Sequence, residues 1–140
     1  MIFQSISWRV VAGAVLAFTV ASADAKPHPP TIIVTMAESS HAVSLVLGQR
    51  LRVQLPAQAG TGYSWSIVSG ANPMLHLNGS AVTHVTDRPG GSAMQVFRFT
   101  ATAVGSGRLR IEYRRPWEHA VPAAKRFSIR ITVRPLAKLR

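Results

Sequence analysis

Several segments of this chain alternate apolar and polar residues with a period of two, and this pattern constrains the fold more than any other feature. In residues 51–55 the apolar side chains are separated by Arg52 and Gln54. Residues 109–113 and 127–133 repeat the pattern, with arginine at several of the polar positions. Alternation of this kind is typical of a β-strand that buries one face and exposes the other to water.

Further strand-like segments occupy most of the chain after residue 30. Residues 31–36, 44–47, 63–68 and 97–101 are rich in β-branched or aromatic residues, and residues 75–85 form a weaker candidate that is interrupted at Asn78-Gly79. No segment beyond the first 25 residues shows an apolar period near 3.6 over ten or more positions. About seven short strands separated by turn signals predict an all-β domain, either a sandwich or a small barrel.

The N-terminal 25 residues have the composition of a cleavable signal peptide. One charge, Arg9, precedes an apolar run at 10–20, and the small residues of 21–25 offer a small-x-small cleavage site. The 14 residues between Arg9 and Asp24 are fewer than the roughly 20 that a membrane-spanning helix needs. We therefore expect a signal peptide at 1–25 and a mature domain at 26–140, exported to a periplasm or secreted, with no membrane span. An uncleaved anchor is the alternative.

The chain has 140 residues, no cysteine and a formal net charge of +11. Without cysteine, neither disulfides nor thiolate chemistry is available to an exported domain. The basic residues are scattered rather than clustered in runs, as expected for the solvent-exposed face of a sheet. Charged side chains there also discourage the pairing of sheet edges between molecules. A basic module for nucleic acid or envelope polyanions remains the alternative; our prediction is that nucleic acid is not a partner.

Enzymatic and metal-binding functions lack the residue spacings they require. The five histidines (28, 41, 76, 84, 119) and the few carboxylates form no visible acid–base pair or ligand cluster. No Gly-x-Ser-x-Gly nucleophile motif occurs, and Trp65 stands where a dinucleotide fingerprint starting at Gly60 needs glycine. We predict no catalysis, no cofactor and no metal.

Three connecting segments carry residues that a simple turn does not need. They are residues 56–65 (PAQAGTGYSW), 87–92 (DRPGGS) and 114–124 (RRPWEHAVPAA). If the strands alternate in direction, loops after the second, fourth and sixth strands project from the same end of a sandwich. Loops held by a rigid sheet scaffold are often binding surfaces.

These segments resemble the signature loops of the chagasin family, exported inhibitors of papain-like cysteine peptidases. The family carries Asn-Pro-Thr-Thr-Gly-(Tyr/Phe)-x-Trp, Gly-x-Gly-Gly and Arg-Pro-(Trp/Phe) in that order. This sequence has Thr61-Gly62-Tyr63-x-Trp65, then Gly90-Gly91, then Arg115-Pro116-Trp117. It departs from the family at Gln58-Ala59-Gly60 and at Arg88-Pro89.

The resemblance implies an immunoglobulin-like β-sandwich that inhibits its target reversibly and without a covalent bond. Three loops at one end would wedge into the active-site cleft of a papain-like cysteine peptidase, and we expect a monomer. Trp65 lies on an alternating strand, so we expect it in the core. The implied contact residues are Gly60, Thr61, Gly62 and Tyr63 in the first loop, Arg88, Gly90 and Gly91 in the second, and Arg115, Pro116 and Trp117 in the third.

Structural roles remain open for several of these residues. Tyr63 and Arg115 could support their own loops, and Gly90-Gly91 could be only a turn. An adhesion or assembly module that uses the same loops, or a polyanion-binding module that uses the basic sheet face, is the alternative function.

Overall fold

The structure, a computed structural model, describes residues 27–85 and 90–137. The predicted signal peptide lies outside these residues. Within them the chain forms a 3-10 helix, Met36–Glu38, and eight strands. The strands are β1 (Ile32–Thr35), β2 (Ala42–Val46), β3 (Arg50–Gln58), β4 (Ser64–Gly70), β5 (Leu75–His84), β6 (Ser92–Ala101), β7 (Gly105–Arg114) and β8 (Lys125–Arg134).

The strands form two four-stranded sheets that face each other as a sandwich, which confirms the predicted all-β class. One sheet has the order β1-β3-β6-β5 and the other β2-β8-β7-β4. The pairs β1–β3 and β2–β8 are parallel, and the other pairs are antiparallel. Consecutive strands therefore alternate in direction along the chain, and many of them cross from one sheet to the other. No helix in the described ranges is long and apolar enough to cross a membrane.

The period-two pattern decides which side chains fill the space between the sheets. Alternate residues of β3, β7 and β8 point inward and are almost fully buried, whereas Arg108, Arg110 and Arg130 on the opposite face are exposed. Much of the positive charge therefore lies on the solvent-exposed face of the sheet β2-β8-β7-β4, as predicted. The inward residues of these three strands are Leu51, Val53, Leu55, Leu109, Ile111, Tyr113, Phe127, Ile129, Ile131 and Val133.

The structure corrects the predicted strand count and two strand boundaries. Eight strands form rather than about seven, so the three loops follow the third, fifth and seventh strands instead of the second, fourth and sixth. The prediction that they leave from the same end is nevertheless correct, because alternation of direction holds throughout. Strand β5 continues through Asn78-Gly79 by means of a bulge, and β6 begins at Ser92 rather than Phe97.

The 3-10 helix moves the chain from the first sheet to the second between β1 and β2. Thr35 begins it as the cap: its backbone N–H and its hydroxyl both donate to Oε2 of Glu38, at 2.6 and 2.7 Å. These two hydrogen bonds, the side-chain one foremost, lower the pKa of Glu38 below its usual value. The carboxylate is thereby committed to this turn.

A buried glutamine joins the two sheets near the end where the three loops leave. Gln95 of β6 accepts a hydrogen bond from the backbone N–H of Trp65 and donates one to its carbonyl oxygen, both at 2.8 Å. Trp65 belongs to β4, an edge strand of the opposite sheet, so Gln95 satisfies two backbone groups on that edge. The Trp65 indole N–H donates to the Pro56 carbonyl at 2.9 Å, and the ring is 2% exposed, which confirms its predicted place in the core.

We predict that Gln95→Leu destabilises the protein by about 2–4 kcal/mol, because both buried backbone groups of Trp65 lose their partner while the side-chain volume is kept. The free energy of unfolding in urea measures this. The matched control is Gln54→Leu, at a half-buried position on the outer face of the same sheet. An equal loss in the two variants would contradict the inter-sheet role of Gln95.

Candidate functional site

Three loops meet at one end of the sandwich. We call residues 59–63 the first loop, residues 85–91 the second loop and residues 115–124 the third loop. The Ala59 N–H donates to the Gly91 carbonyl at 3.4 Å, which links the first loop to the second. The Arg115 Nε donates to the Thr61 carbonyl at 3.2 Å, which links the third loop to the first. The first loop is therefore attached to both of its neighbours.

Three aromatic rings in contact connect the core to this loop end. The Trp65 ring lies 5.0 Å from the Tyr113 ring, and the Tyr113 ring is stacked on Tyr63 at 5.3 Å. The Tyr113 hydroxyl accepts a hydrogen bond from the Gln58 backbone N–H at 3.1 Å, so β7 is bound to the end of β3 in the other sheet. We call Trp65, Tyr113 and Tyr63 the aromatic column. It supports the first loop from below.

Arg115 covers the outer end of the aromatic column. Its guanidinium carbon lies 4.6 Å from the centre of the Tyr63 ring, a cation–π geometry. The same side chain forms an ion pair with Glu118 at 3.3 Å. Together with its bond to Thr61, these contacts make Arg115 a structural support for the first and third loops. Tyr63, half-buried between Tyr113 and Arg115, also supports the first loop.

Trp117 lies against the first loop yet stays largely open to solvent. Its indole packs over Gly62, so closely that a Cβ placed on Gly62 would lie 2.6 Å from the Cη2 atom of the ring. Gly62 also has φ of +79°, a conformation that other residues adopt only with strain. Trp117 remains 64% exposed. Glycine at position 62 is thus required by the indole above it as well as by the backbone.

The rest of the first loop forms a compact turn. The Thr61 hydroxyl donates to the Gln58 carbonyl at 2.9 Å and accepts from the Tyr63 N–H at 3.4 Å, a side-chain turn of the kind that Ser and Thr favour. Gly60 lies at the tip, exposed and with φ of +79°. Gly90, in the second loop, is also exposed and has φ of +72°.

A groove of about 640 Å³ lies between the loops and is lined by residues of all three. The Tyr63 and Tyr113 rings and two cationic side chains, Arg115 and Lys125, contribute to its walls. The Lys125 ammonium lies 5.6 Å from the centre of the Tyr113 ring. Gly91 and Ser92 line the side formed by the second loop. The loop end is therefore a surface of projecting loops with a recess between them.

The structure brings together nine of the ten residues predicted for the site. Arg88 lies outside the described residues, and the other nine occupy the three loops at this one end. Three residues of the site are not among those predicted from the sequence: Tyr113 and Lys125 line the groove, and Glu118 pairs with Arg115. The spacing of three residues between Arg115 and Glu118 was an available signal, whereas the part played by Tyr113 depends on strand register.

Among residues 27–85 and 90–137, no three His, Asp or Glu side chains come close enough to hold a metal ion. The described carboxylates are Glu38, Glu112 and Glu118. Glu38 accepts a hydrogen bond from Thr35, and the other two form ion pairs with arginines. The chemistry that the loop end offers is accordingly that of a contact surface of glycines, aromatic rings and cations.

Comparison with known proteins gives a consistent result. The model of the family described as Chagasin family peptidase inhibitor I42 matches residues 44–131. Chagasin from Trypanosoma cruzi is 24% identical over 101 residues, covering 69% of this chain and 92% of chagasin. The crystal structure of the cysteine protease inhibitor EhICP2 from Entamoeba histolytica has a TM-score of 0.70 at 20% identity, covering 77% of this chain and 99% of that one. The solution structure of amebosin has a TM-score of 0.62 at 23% identity, covering 76% and 100%.

An all-β sandwich with three joined loops at one end is the class of protein that the fold and the site define. The family match spans more than half of the chain and includes the whole of β3 to β7 and all three loops. The chain belongs to the chagasin family of peptidase inhibitors. Since that family consists of inhibitors, the prediction that this protein is not an enzyme is confirmed.

We predict that Gly62→Ala displaces the Trp117 indole, because the new Cβ collides with the ring. Since the positive φ is also strained for alanine, the free energy of unfolding should fall by about 1 kcal/mol or more. The indole N–H resonance of Trp117 should shift in an NMR spectrum, while that of Trp65 stays in place.

The matched control is Gly60→Ala. Gly60 has the same φ of +79°, but nothing lies within 4 Å of its added Cβ, so this variant contains the backbone strain without the collision. If both variants shift the Trp117 resonance equally, the indole does not rest on Gly62.

Proposed function

We propose that this protein is a reversible, non-covalent inhibitor of papain-like cysteine peptidases that inserts its three loops into the active-site cleft. The observation that carries the proposal is the position of Trp117. Its exposed indole packs against the first loop, which is hydrogen-bonded to both neighbouring loops. Family membership supports the activity, and the geometry of the loop end supports the way in which it is exerted.

Each loop has a role in this proposal. The tip of the first loop, Gly60 to Gly62, lies over the catalytic cysteine and histidine of the target. Gly90 and Gly91 lie along the cleft, where glycine lets the two main chains approach each other. The exposed indole of Trp117, next to Pro116, contacts an apolar or aromatic surface beside the cleft, and burial of a tryptophan at an interface centre is a common source of binding energy.

The internal contacts of the loop end support tight binding, because a loop that is already ordered loses less entropy when it binds. Arg115 connects the first and third loops, and the Ala59–Gly91 hydrogen bond connects the first and second. These links offset the loosening expected from glycine at position 60, where the family has threonine. Arg115 acts in this proposal as a support whose exposed part also borders the interface.

Arg88 in the second loop remains a predicted contact, and it would favour peptidases whose cleft has an acidic rim. Export through the N-terminal 25 residues, to a periplasm or to the outside, and a monomeric state are likewise part of the proposal. The leader-like composition of these residues supports export.

The direct test is titration of the purified protein against papain and, as a control, against the serine peptidase trypsin. We expect saturable, reversible inhibition of papain alone, with little dependence on salt. Inhibition of neither enzyme would favour an adhesion or assembly role for the loops. Binding to polyanions that falls steeply with salt would favour the basic face instead.

We predict that Trp117→Ala weakens inhibition of papain by about 30- to 700-fold, which corresponds to the loss of about 2–4 kcal/mol for a desolvated tryptophan at an interface centre. The melting temperature should change little, because the ring is already 64% exposed.

The matched control is Val104→Ala, which removes an exposed apolar side chain (53%) from the turn between β6 and β7 at the opposite end. Its inhibition constant should equal that of the unmodified protein. A loss at Val104 as large as that at Trp117 would place the interface elsewhere.

A further inference from the structure

Three arginines converge on a groove on the outer face of the sheet β1-β3-β6-β5. The groove has a volume of about 410 Å³, and we call it the arginine groove. Its polar lining consists of Thr31, Arg50, Arg52, Asn78, Arg98 and Thr100.

Two of these arginines are held directly opposite each other. Arg52 of β3 is the register partner of Arg98 of β6, and like charges at such a position repel each other and destabilise the strand pair. Arg50 lies two residues from Arg52 and therefore on the same face. Among residues 27–85 and 90–137, no carboxylate lines the groove. Within the described residues, Glu112 and Glu118 form their ion pairs with other arginines, and Glu38 is bonded to Thr35.

The Arg52 side chain also has a hydrogen-bond donor that the chain does not use. Its Nε atom is buried and has no hydrogen-bond partner among the described residues. A buried N–H without an acceptor is unfavourable, and more so when the group is charged. An oxygen from a bound anion would supply the acceptor and would relieve the repulsion between the arginines.

A neutral residue of the groove, Thr100, can also donate a hydrogen bond to an anion. The Asn78 side-chain amide donates to the Thr100 hydroxyl oxygen at 2.7 Å, which leaves the hydroxyl hydrogen of Thr100 available for another acceptor. Guanidinium groups present paired donors that match the oxygens of a phosphate group. We propose that the arginine groove is a binding site for a phosphate group, either free phosphate or the phosphate of an anionic lipid headgroup.

The proposed site is separate from the loop end. Arg50 pairs with Thr100 at one end of the β3–β6 ladder, whereas Gln58 pairs with Ser92 at the other end beside the loops. Arg52 and Gln58 are six positions apart on an extended strand, a distance of about 20 Å. Phosphate binding and peptidase inhibition can therefore be tested independently, and the failure of one does not imply the failure of the other.

The test is thermal unfolding of the purified protein in increasing sodium phosphate, compared with sodium chloride at the same ionic strength and pH. We expect phosphate to raise the melting temperature saturably, by at least about 4 °C beyond the effect of chloride, because a ligand that binds only the folded state stabilises it. Equal effects of the two salts would overturn the proposal.

Two substitutions examine the groove itself. Arg98→Gln should abolish the phosphate-specific rise, and its melting temperature in chloride should equal or exceed that of the unmodified protein because a repulsion has been removed. Arg52→Lys keeps the charge but loses the guanidinium geometry, and it should reduce the rise. The matched control is Arg110→Gln, an exposed arginine of the other sheet, which should keep the full rise. A full rise in Arg98→Gln, or an equal loss in Arg110→Gln, would contradict the assignment.

The source of the phosphate group is decided by sedimentation with vesicles of phosphatidylcholine that contain phosphatidic acid. Binding that is lost in Arg98→Gln but kept in Arg110→Gln would identify a lipid headgroup as the source. A phosphate-specific thermal rise without vesicle binding would identify free phosphate. Vesicle binding lost equally in both variants would show a general effect of positive charge and would overturn the proposal. In every case Arg98→Gln should inhibit papain as the unmodified protein does.

Discussion

The packing of Tyr113 between Trp65, whose ring is tilted against it, and Tyr63, whose ring is stacked on it, is the interaction on which the loop end depends. Trp65 is fixed in the core by the inter-sheet hydrogen bonds of Gln95 and by the Pro56 carbonyl, and Tyr113 ties β7 to the end of β3. Tyr63 then rests on Tyr113, and Arg115 rests on Tyr63. The position of a surface loop is thereby determined by contacts that begin in the hydrophobic interior. This base in the core reaches the first loop, and through its bonds to Gly91 and Arg115 it reaches the other two loops.

The sequence predicted those parts of the structure that depend on local periodicity. The alternation in residues 51–55, 109–113 and 127–133 gave the correct buried faces, and Trp65 was correctly placed in the core. Residues 93–96 lack alternation, since Gln95 is turned inward to bond Trp65, and the start of β6 was therefore missed. Glycine at position 79 is unfavourable in a strand, yet a bulge accommodates it. The links of Tyr113 to Gln58 and of Arg115 to Thr61 join residues more than 50 positions apart, so they follow from register, which a local pattern does not show.

Charge is distributed unevenly over the molecule, and the few carboxylates explain why. Glu112 lies between Arg114 and Arg126, Glu118 serves Arg115, and Glu38 closes the turn after β1. In the described part of the chain, no carboxylate is among the residues that line the arginine groove on the first sheet. Because the described carboxylates are few, they pair with only some of the arginines. Glu118 orders Arg115 at the loop end, whereas the arginine groove stays basic and is suited to an anion. The two surfaces lie about 20 Å apart along β3.

The central claim is that the three loops at one end of the sandwich, and no other surface, enter the peptidase cleft. Amide hydrogen exchange of the protein, free and saturated with papain, measures this directly. We expect new protection confined to residues 59–63, to the second loop and to residues 115–124, with the outer faces of both sheets unchanged. New protection along the β5 edge, or on the outer face of β7 and β8 that carries Arg108, Arg110 and Arg130, with the loops unaffected, would contradict this claim.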